Sequence, residues 1–160
     1  MCIRDRLGAD RIIAMSRHTD RQALAREFGA TDIVEERGDA GVAKIKELTD
    51  GLGAHSVIEA VGTQESMMQA IRSTRPGGHV GYVGVSHGVE LPGQELFFSG
   101  VHLHGGPAPV RRFLPELIEL IWNRTINPGR VFDLTVPLAQ ADEAYQAMDQ
   151  RRATKVLLTL

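Results

Sequence analysis

R-I-I-A-M-S-R-H-T-D-R-Q-A-L-A-R-E-F-G-A-T-D-I-V-E-E-R, residues 11–37, is the stretch that decides the fold. Residues 11–15 form a brief apolar run of strand length. Thr19 then offers a hydroxyl N-cap, Asp20 falls in the first turn, and Gln22 stands three residues past the cap, the spacing of a capping box. Leu24 and Phe28 lie four apart on one helical face, Gly29 is a C-terminal stop, and Ile33-Val34 opens a second strand. Two strands joined by a crossover helix run parallel, with a right-handed crossover. Such sheets bind nucleotides beyond the carboxyl ends of their strands. That places Ser16 and Arg17, at the end of the leading strand, first among the candidate site residues.

Working outward, residues 39–50 carry Val42, Ile45 and Leu48 at helical spacing, with Lys44, Lys46 and Glu47 on the wet side and Gly51 as the stop. Residues 56–61 are a third apolar run. Thr63 caps a helix bearing Met67, Ala70 and Ile71, and Pro76-Gly77-Gly78 ends it and turns into a strand over 79–85. The alternation of strand and helix to this point is the signature of an α/β parallel sheet. The pattern then changes. Residues 86–100 read as mostly loop with a short apolar Leu96-Phe97-Phe98 patch, 101–104 as a strand, 110–123 as an amphipathic helix with Pro115 early in it, 131–136 as a strand, 139–150 as a helix and 156–160 as a last strand. Pro107-Ala108-Pro109 marks the change of role. Residues 1–6 look like the last turn of a helix that Gly8 stops, which implies something upstream.

With 160 residues the chain has length for one domain with a real core. A formal net charge of -2 creates no global field toward nucleic acid or an anionic membrane. No apolar run is long enough to span a bilayer, and no charged-then-apolar leader opens the chain. The single cysteine, Cys2, permits neither an internal disulfide nor a thiolate zinc cluster. A cytoplasmic protein is expected, acting on a small molecule.

The sharpest chemical hint is electrostatic. Where a dinucleotide sheet meets the adenosine ribose, a carboxylate binds the ribose hydroxyls, whereas an Arg accommodates a 2′-phosphate. Here the position holds a hydroxyl, Ser16, followed by a guanidinium, Arg17, able to make two parallel bonds to phosphate oxygens. Arg21 adds charge one helical turn on. The bland alternative is a pair of solvated loop residues. Val61-Gly62 and Val83-Gly84-Val85 each fall where a strand ends, and two glycines at one sheet edge suit a flat ligand's close approach as well as packing. Glu59, inside an apolar strand, reads as a satisfied structural carboxylate rather than an acid or base. His102-x-His104 puts two imidazoles on one face of a strand, but no Cys, Asp or Glu close by completes a metal set. Ser86-His87 is no catalytic pair without an elbow motif. No G-x-G-x-x-G or Walker pattern precedes Arg11.

L-G-A-D-R-I-I-A, G-A-T-D-I-V, S-V-I-E-A-V-G-T, R-P-G-G-H-V-G-Y-V-G-V and R-R-A-T-K-V-L-L-T-L, in that order and spacing, resemble the C-terminal part of zinc-dependent alcohol dehydrogenases of the medium-chain dehydrogenase/reductase superfamily. The resemblance covers residues 7–160. It implies an α/β, Rossmann-type parallel sheet, incomplete here because its first, central strand and Gly-rich loop are missing. A C-terminal helix-strand-helix-strand segment follows. It divides the chain into non-matching residues 1–6, a partial NAD(P)-binding domain over 7–107, and a segment over 108–160 that returns to the GroES-like catalytic domain. It assigns cofactor contacts to Ser16, Arg17, Arg21, Val61, Gly62, Val83, Gly84, Val85 and Lys155, the last near the pyrophosphate, with NADP preferred and NAD the alternative. Zinc is expected only in the missing N-terminal part, which carries the ligands, and this chain alone is expected to be inactive. The complete enzyme would move hydride between an alcohol or aldehyde and the nicotinamide, and would be a homo-oligomer with no nucleic-acid or membrane partner. Two other readings stand beside it: a zinc-free quinone oxidoreductase relative, and a non-catalytic nucleotide-binding or interaction module. Without the central strand, the strands at 11–15 and 56–61 lose their shared neighbour, and either close up or leave a gap.

Overall fold

The computed structural model describes residues 8–160; the helix tail expected over residues 1–6 lies outside them. The strands are β1 (Ile13–Met15), β2 (Asp32–Val34), β3 (Ala54–Glu59), β4 (Thr74–Tyr82), β5 (His102–Gly105), β6 (Leu134–Pro137) and β7 (Val156–Thr159). The α-helices are α1 (Thr19–Glu27), α2 (Gly38–Leu48), α3 (Gln64–Ser73), α4 (Gly93–Ser99), α5 (Val110–Trp122) and α6 (Ala141–Asp149), with short 3-10 turns at Pro128–Val131 and Leu138–Gln140. The chain folds as two compact units. A sheet unit comprises Ile13–Arg17 and Asp32–Val110; a carboxyl-terminal unit comprises residues 8–12, His18–Thr31 and Arg111–Leu160.

Within the sheet unit every pairing is parallel: β1 with β2, β3 with β4, and β4 with β5. They form two separate sheets, β1-β2 and β3-β4-β5. Among the described residues β1 and β3 do not pair with each other, so the two strands have not closed up into one ladder. What joins the two sheets is helix packing. α2 lies against α3, Val42 and Ile45 of α2 are buried, and the Gln69 side-chain amide of α3 reaches the Met15 sulfur of β1 at 3.5 Å. The core gathers on the other side of α3, where Met67, Met68 and Ile71 pack with Tyr82, Val89, Leu96 and Leu103. Burying such side chains away from water is the main term holding α3 to the sheet.

Several boundaries differ from those read in the sequence. α1 is entered from an extended His18, so Thr19 is its first helical residue and no side chain caps it. The capping-box geometry appears instead at α3, where the Thr63 hydroxyl accepts from Ser66 N–H and the Ser66 hydroxyl accepts from Thr63 N–H. Pro76-Gly77-Gly78 does not end that helix. β4 already starts at Thr74, and the register passes from Ala54–Thr74 to Ser56–His79, so the Pro-Gly-Gly segment is an irregularity inside the strand. Gly77 takes φ +71° there, and its N–H donates to Gly100 O at 3.0 Å. Residues 86–100 are not all loop: Pro92 opens α4 and Gly100, at φ +61°, closes it. Pro115 sits inside α5 rather than in its first turn, which removes one intrahelical bond.

In the carboxyl-terminal unit β6 pairs parallel with β7, and α6 turns Ala144 and Ala147 into the interior. The Asp133 carboxylate accepts from Thr154 N–H at 2.8 Å and Lys155 N–H at 3.2 Å, fixing the turn into β7.

Because Ile71 is 1% exposed at the centre of the α3 core, Ile71→Ala should lower unfolding stability by about 2–5 kcal/mol. Urea unfolding followed by circular dichroism measures this; a loss below about 1 kcal/mol would place the core elsewhere.

Candidate functional site

Three parallel strands of the sheet unit end in the residues singled out from the sequence. Ser16 and Arg17 follow β1, Val61 and Gly62 follow β3, and Val83, Gly84 and Val85 follow β4. Ser16 N–H donates to Val34 O at 3.1 Å, extending the β1–β2 ladder by one residue. The Arg17 side chain is exposed and pairs with no carboxylate among the described residues. Arg21 and Lys155 belong to the carboxyl-terminal unit. Arg21 is exposed in the first turns of α1, and Lys155 is held through its backbone, its N–H on Asp133 Oδ1 and its carbonyl on Asp133 N–H, both at 3.2 Å. In the same unit an Arg151 guanidinium nitrogen lies 3.3 Å from His18 Nε2, a neighbour 133 residues away in the chain that no local pattern could reveal.

The loops after β3 and β4 lie backbone to backbone. Val83 N–H donates to Glu59 O at 2.8 Å, Gly84 N–H to the same oxygen at 3.4 Å, and His87 N–H to Gly62 O at 3.2 Å. A Cβ at Gly62 would stand 2.1 Å from Val85 O, and one at Gly84 only 2.6 Å from Gly62 N. Both glycines are therefore accounted for by the approach of one loop to the other. The side chains of Val61, Val83 and Val85 remain exposed.

Glu59 anchors this junction and is 3% exposed. Its Oε1 accepts from Val61 N–H at 2.7 Å, Gly62 N–H at 2.9 Å and the Ser66 hydroxyl at 2.7 Å. Burial pushes its pKa up, but the bonds from Gly62, Ser66 and Val61 outweigh that and hold the carboxyl below the ordinary glutamate value. The satisfied structural carboxylate expected at this position is found on one oxygen, Oε1; Oε2 is buried without a partner among the described residues.

His102 and His104 do share a face, and His79 joins them: ring centroids lie 4.8 Å (His79–His102) and 5.5 Å (His79–His104) apart with planes nearly parallel. The rings stack, with His79 Nδ1 3.4 Å from His104 Nε2, and no group of three His, Cys, Asp or Glu among the described residues could hold a metal ion. The residues here therefore do not fit a zinc site. A pocket of about 210 Å³ between α2 and α3 is lined by Gly38, Asp39, Gln64, Glu65, Met68 and Arg72 among others, and by none of the candidate cofactor residues. Among the described residues no helix is long and apolar enough to cross a membrane.

The parallel pairings and the strand–helix alternation define the class, an α/β fold with parallel sheets. The family follows from comparison with known proteins. Residues 3–123 match the zinc-binding dehydrogenase family model, and the chain belongs to that family, as the Rossmann part of zinc-type alcohol dehydrogenases. A probable zinc-binding alcohol dehydrogenase of Mycobacterium tuberculosis is 34% identical over 96% of this chain and 39% of its own length. An NADP-dependent isopropanol dehydrogenase of Entamoeba histolytica is 34% identical over 78% of the chain and 36% of its own length. The solved alcohol dehydrogenase of Thermus sp. ATN1 superposes with a TM-score of 0.90 at 29% identity, over 99% of this chain and 47% of that one. The chain thus spans less than half the length of these relatives.

Because Glu59 is charged in the fold with a lowered pKa, its contribution to stability is complete above the unfolded glutamate value of about 4.3 and is lost as pH falls through the folded value. The stability gap between the wild type and Glu59→Gln should be widest at neutral pH and shrink on acidification below about pH 4. Urea unfolding at a series of pH values checks this; a gap that grows in acid would show the carboxyl to be protonated in the fold.

Proposed function

We propose that this chain supplies the adenosine-phosphate end and the strand-end loops of an NADP seat in a zinc-type alcohol dehydrogenase, with NAD as the weaker ligand. The complete protein would move hydride between an alcohol or aldehyde and the nicotinamide. The observation that carries the reading is the Ser16 hydroxyl and the exposed Arg17 guanidinium, without a carboxylate partner among the described residues, directly beyond the carboxyl end of β1, where a ribose-binding Asp or Glu would exclude a 2′-phosphate. This donor set fits the phosphate group. The NADP-dependent relatives from Entamoeba histolytica and Thermoanaerobacter brockii point the same way.

The roles divide by position. Ser16 offers one hydroxyl and Arg17 two parallel N–H groups to the 2′-phosphate, with the Arg17 charge free to be neutralised by it. Arg21 and Lys155, both of the carboxyl-terminal unit, are proposed as cofactor-contacting basic residues on the family resemblance alone, Lys155 for the pyrophosphate. Val61 to Gly62 and Val83 to Val85 present apolar side chains and backbone groups along the strand ends. The dinucleotide, when bound, supplies the hydride chemistry, and the protein's part is to hold it against the substrate. Polarising the alcohol oxygen requires residues outside those described here.

Arg17→Ala should weaken NADPH binding by about 1.5–3 kcal/mol, some tenfold to a hundredfold, and leave NADH nearly unchanged. Nucleotide fluorescence titrations measure both; equal losses for the two cofactors would remove the 2′-phosphate role.

A further inference from the structure

Glu59 reaches in two directions at once. Its side chain gathers Val61 N–H, Gly62 N–H and the Ser66 hydroxyl on one oxygen, while its main-chain carbonyl accepts Val83 N–H and Gly84 N–H from the neighbouring loop. Gly62, fixed by that carboxylate, then accepts His87 N–H through its own carbonyl. The second carboxylate oxygen occupies the space a Gly84 side chain would need, 2.9 Å from that Cβ position. Three donors on a single oxygen call for an anion. A neutral amide oxygen accepts weaker bonds than a charged carboxylate oxygen, and a buried charge is tolerated only where it is well bonded.

We propose that Glu59 is a positioning residue that locks the loop at 61–62 to the loop at 83–87, so that the two strand-end segments of the cofactor seat move as one body. The ligand's identity rests on the function proposed above; the mechanical coupling does not. The effect travels from the carboxylate to Gly62, and from Gly62 to His87 through a 3.2 Å backbone bond, in a spot where the Val85 carbonyl leaves no room for a Cβ. A carboxylate serving only its own turn would leave the 83–87 segment untouched when removed.

Amide hydrogen exchange of the wild-type chain, Glu59→Gln and Glu59→Ala decides between the two. Coupling requires faster exchange at Val61 and Gly62 and also at Val83, Gly84 and His87, none of which bonds the carboxylate, by about tenfold in Glu59→Ala and less in Glu59→Gln. The amides of α3 and β5 should keep their rates. Acceleration confined to Val61 and Gly62, or spread equally through α3, overturns the proposal. Should Glu59→Ala fail to fold, the same pattern is read from Glu59→Gln. A second readout separates positioning from general support: Glu59→Gln should weaken NADPH more than adenosine 2′,5′-bisphosphate, which lacks the nicotinamide half, and equal weakening contradicts it. A wild-type chain that binds neither ligand counts against the proposed function, while the exchange pattern still decides the coupling.

Discussion

A single buried carboxylate at the end of β3 sets the geometry of the strand-end loops. Taking Glu59 out of water is costly, and three donors converging on Oε1 offset that cost. Because its carbonyl also receives Val83 N–H from beyond β4, the parallel pairing of β3 and β4 continues past the last ladder residues into the loops. Strands running the other way would have put those loops at opposite ends of the sheet, so the candidate rim depends on parallel pairing before it depends on any side chain.

The second constraint is the separation of the sheet unit into β1-β2 and β3-β4-β5. In a six-stranded Rossmann order the strand that pairs with both β1 and β3 would stand between them. Here α2 and α3 hold the two sheets through buried Val42, Ile45 and the Gln69–Met15 contact. The facing backbone groups of β1 and β3 have no ladder partner among the described strands, a situation that costs free energy wherever those groups are shielded from water.

What the sequence made legible follows from how local the signals are. Strand–helix alternation is carried by apolar periodicity, and β1 through β5 appear in the order read. Thr63 is the helix cap because hydroxyl and N–H lie three residues apart, a relation the chain writes locally. Pro76-Gly77-Gly78 misled because the same residues that break a helix also permit an irregular strand, and only the register with β3 distinguishes the two. α4 escapes a periodicity reading because, in seven residues, it turns Leu96 toward the core while Phe97 and Phe98 stay exposed, too short a pattern to show a helical period. Gly62 and Gly84 were correctly placed at strand ends, yet their neighbours are each other's loops, a relation more than twenty residues long-range. Glu59 was recognised as structural, but its reach into the second loop runs through a backbone carbonyl, which no side-chain pattern encodes.

The most direct measurement of the central claim is amide chemical-shift mapping while adenosine 2′,5′-bisphosphate is added to the isotope-labelled chain. The account expects the largest shifts at Ser16 and Arg17, saturating with a single binding curve and abolished when the 2′-phosphate is omitted from the probe. Shifts that spare Ser16 and Arg17, or that persist unchanged with the probe lacking the 2′-phosphate, would contradict it.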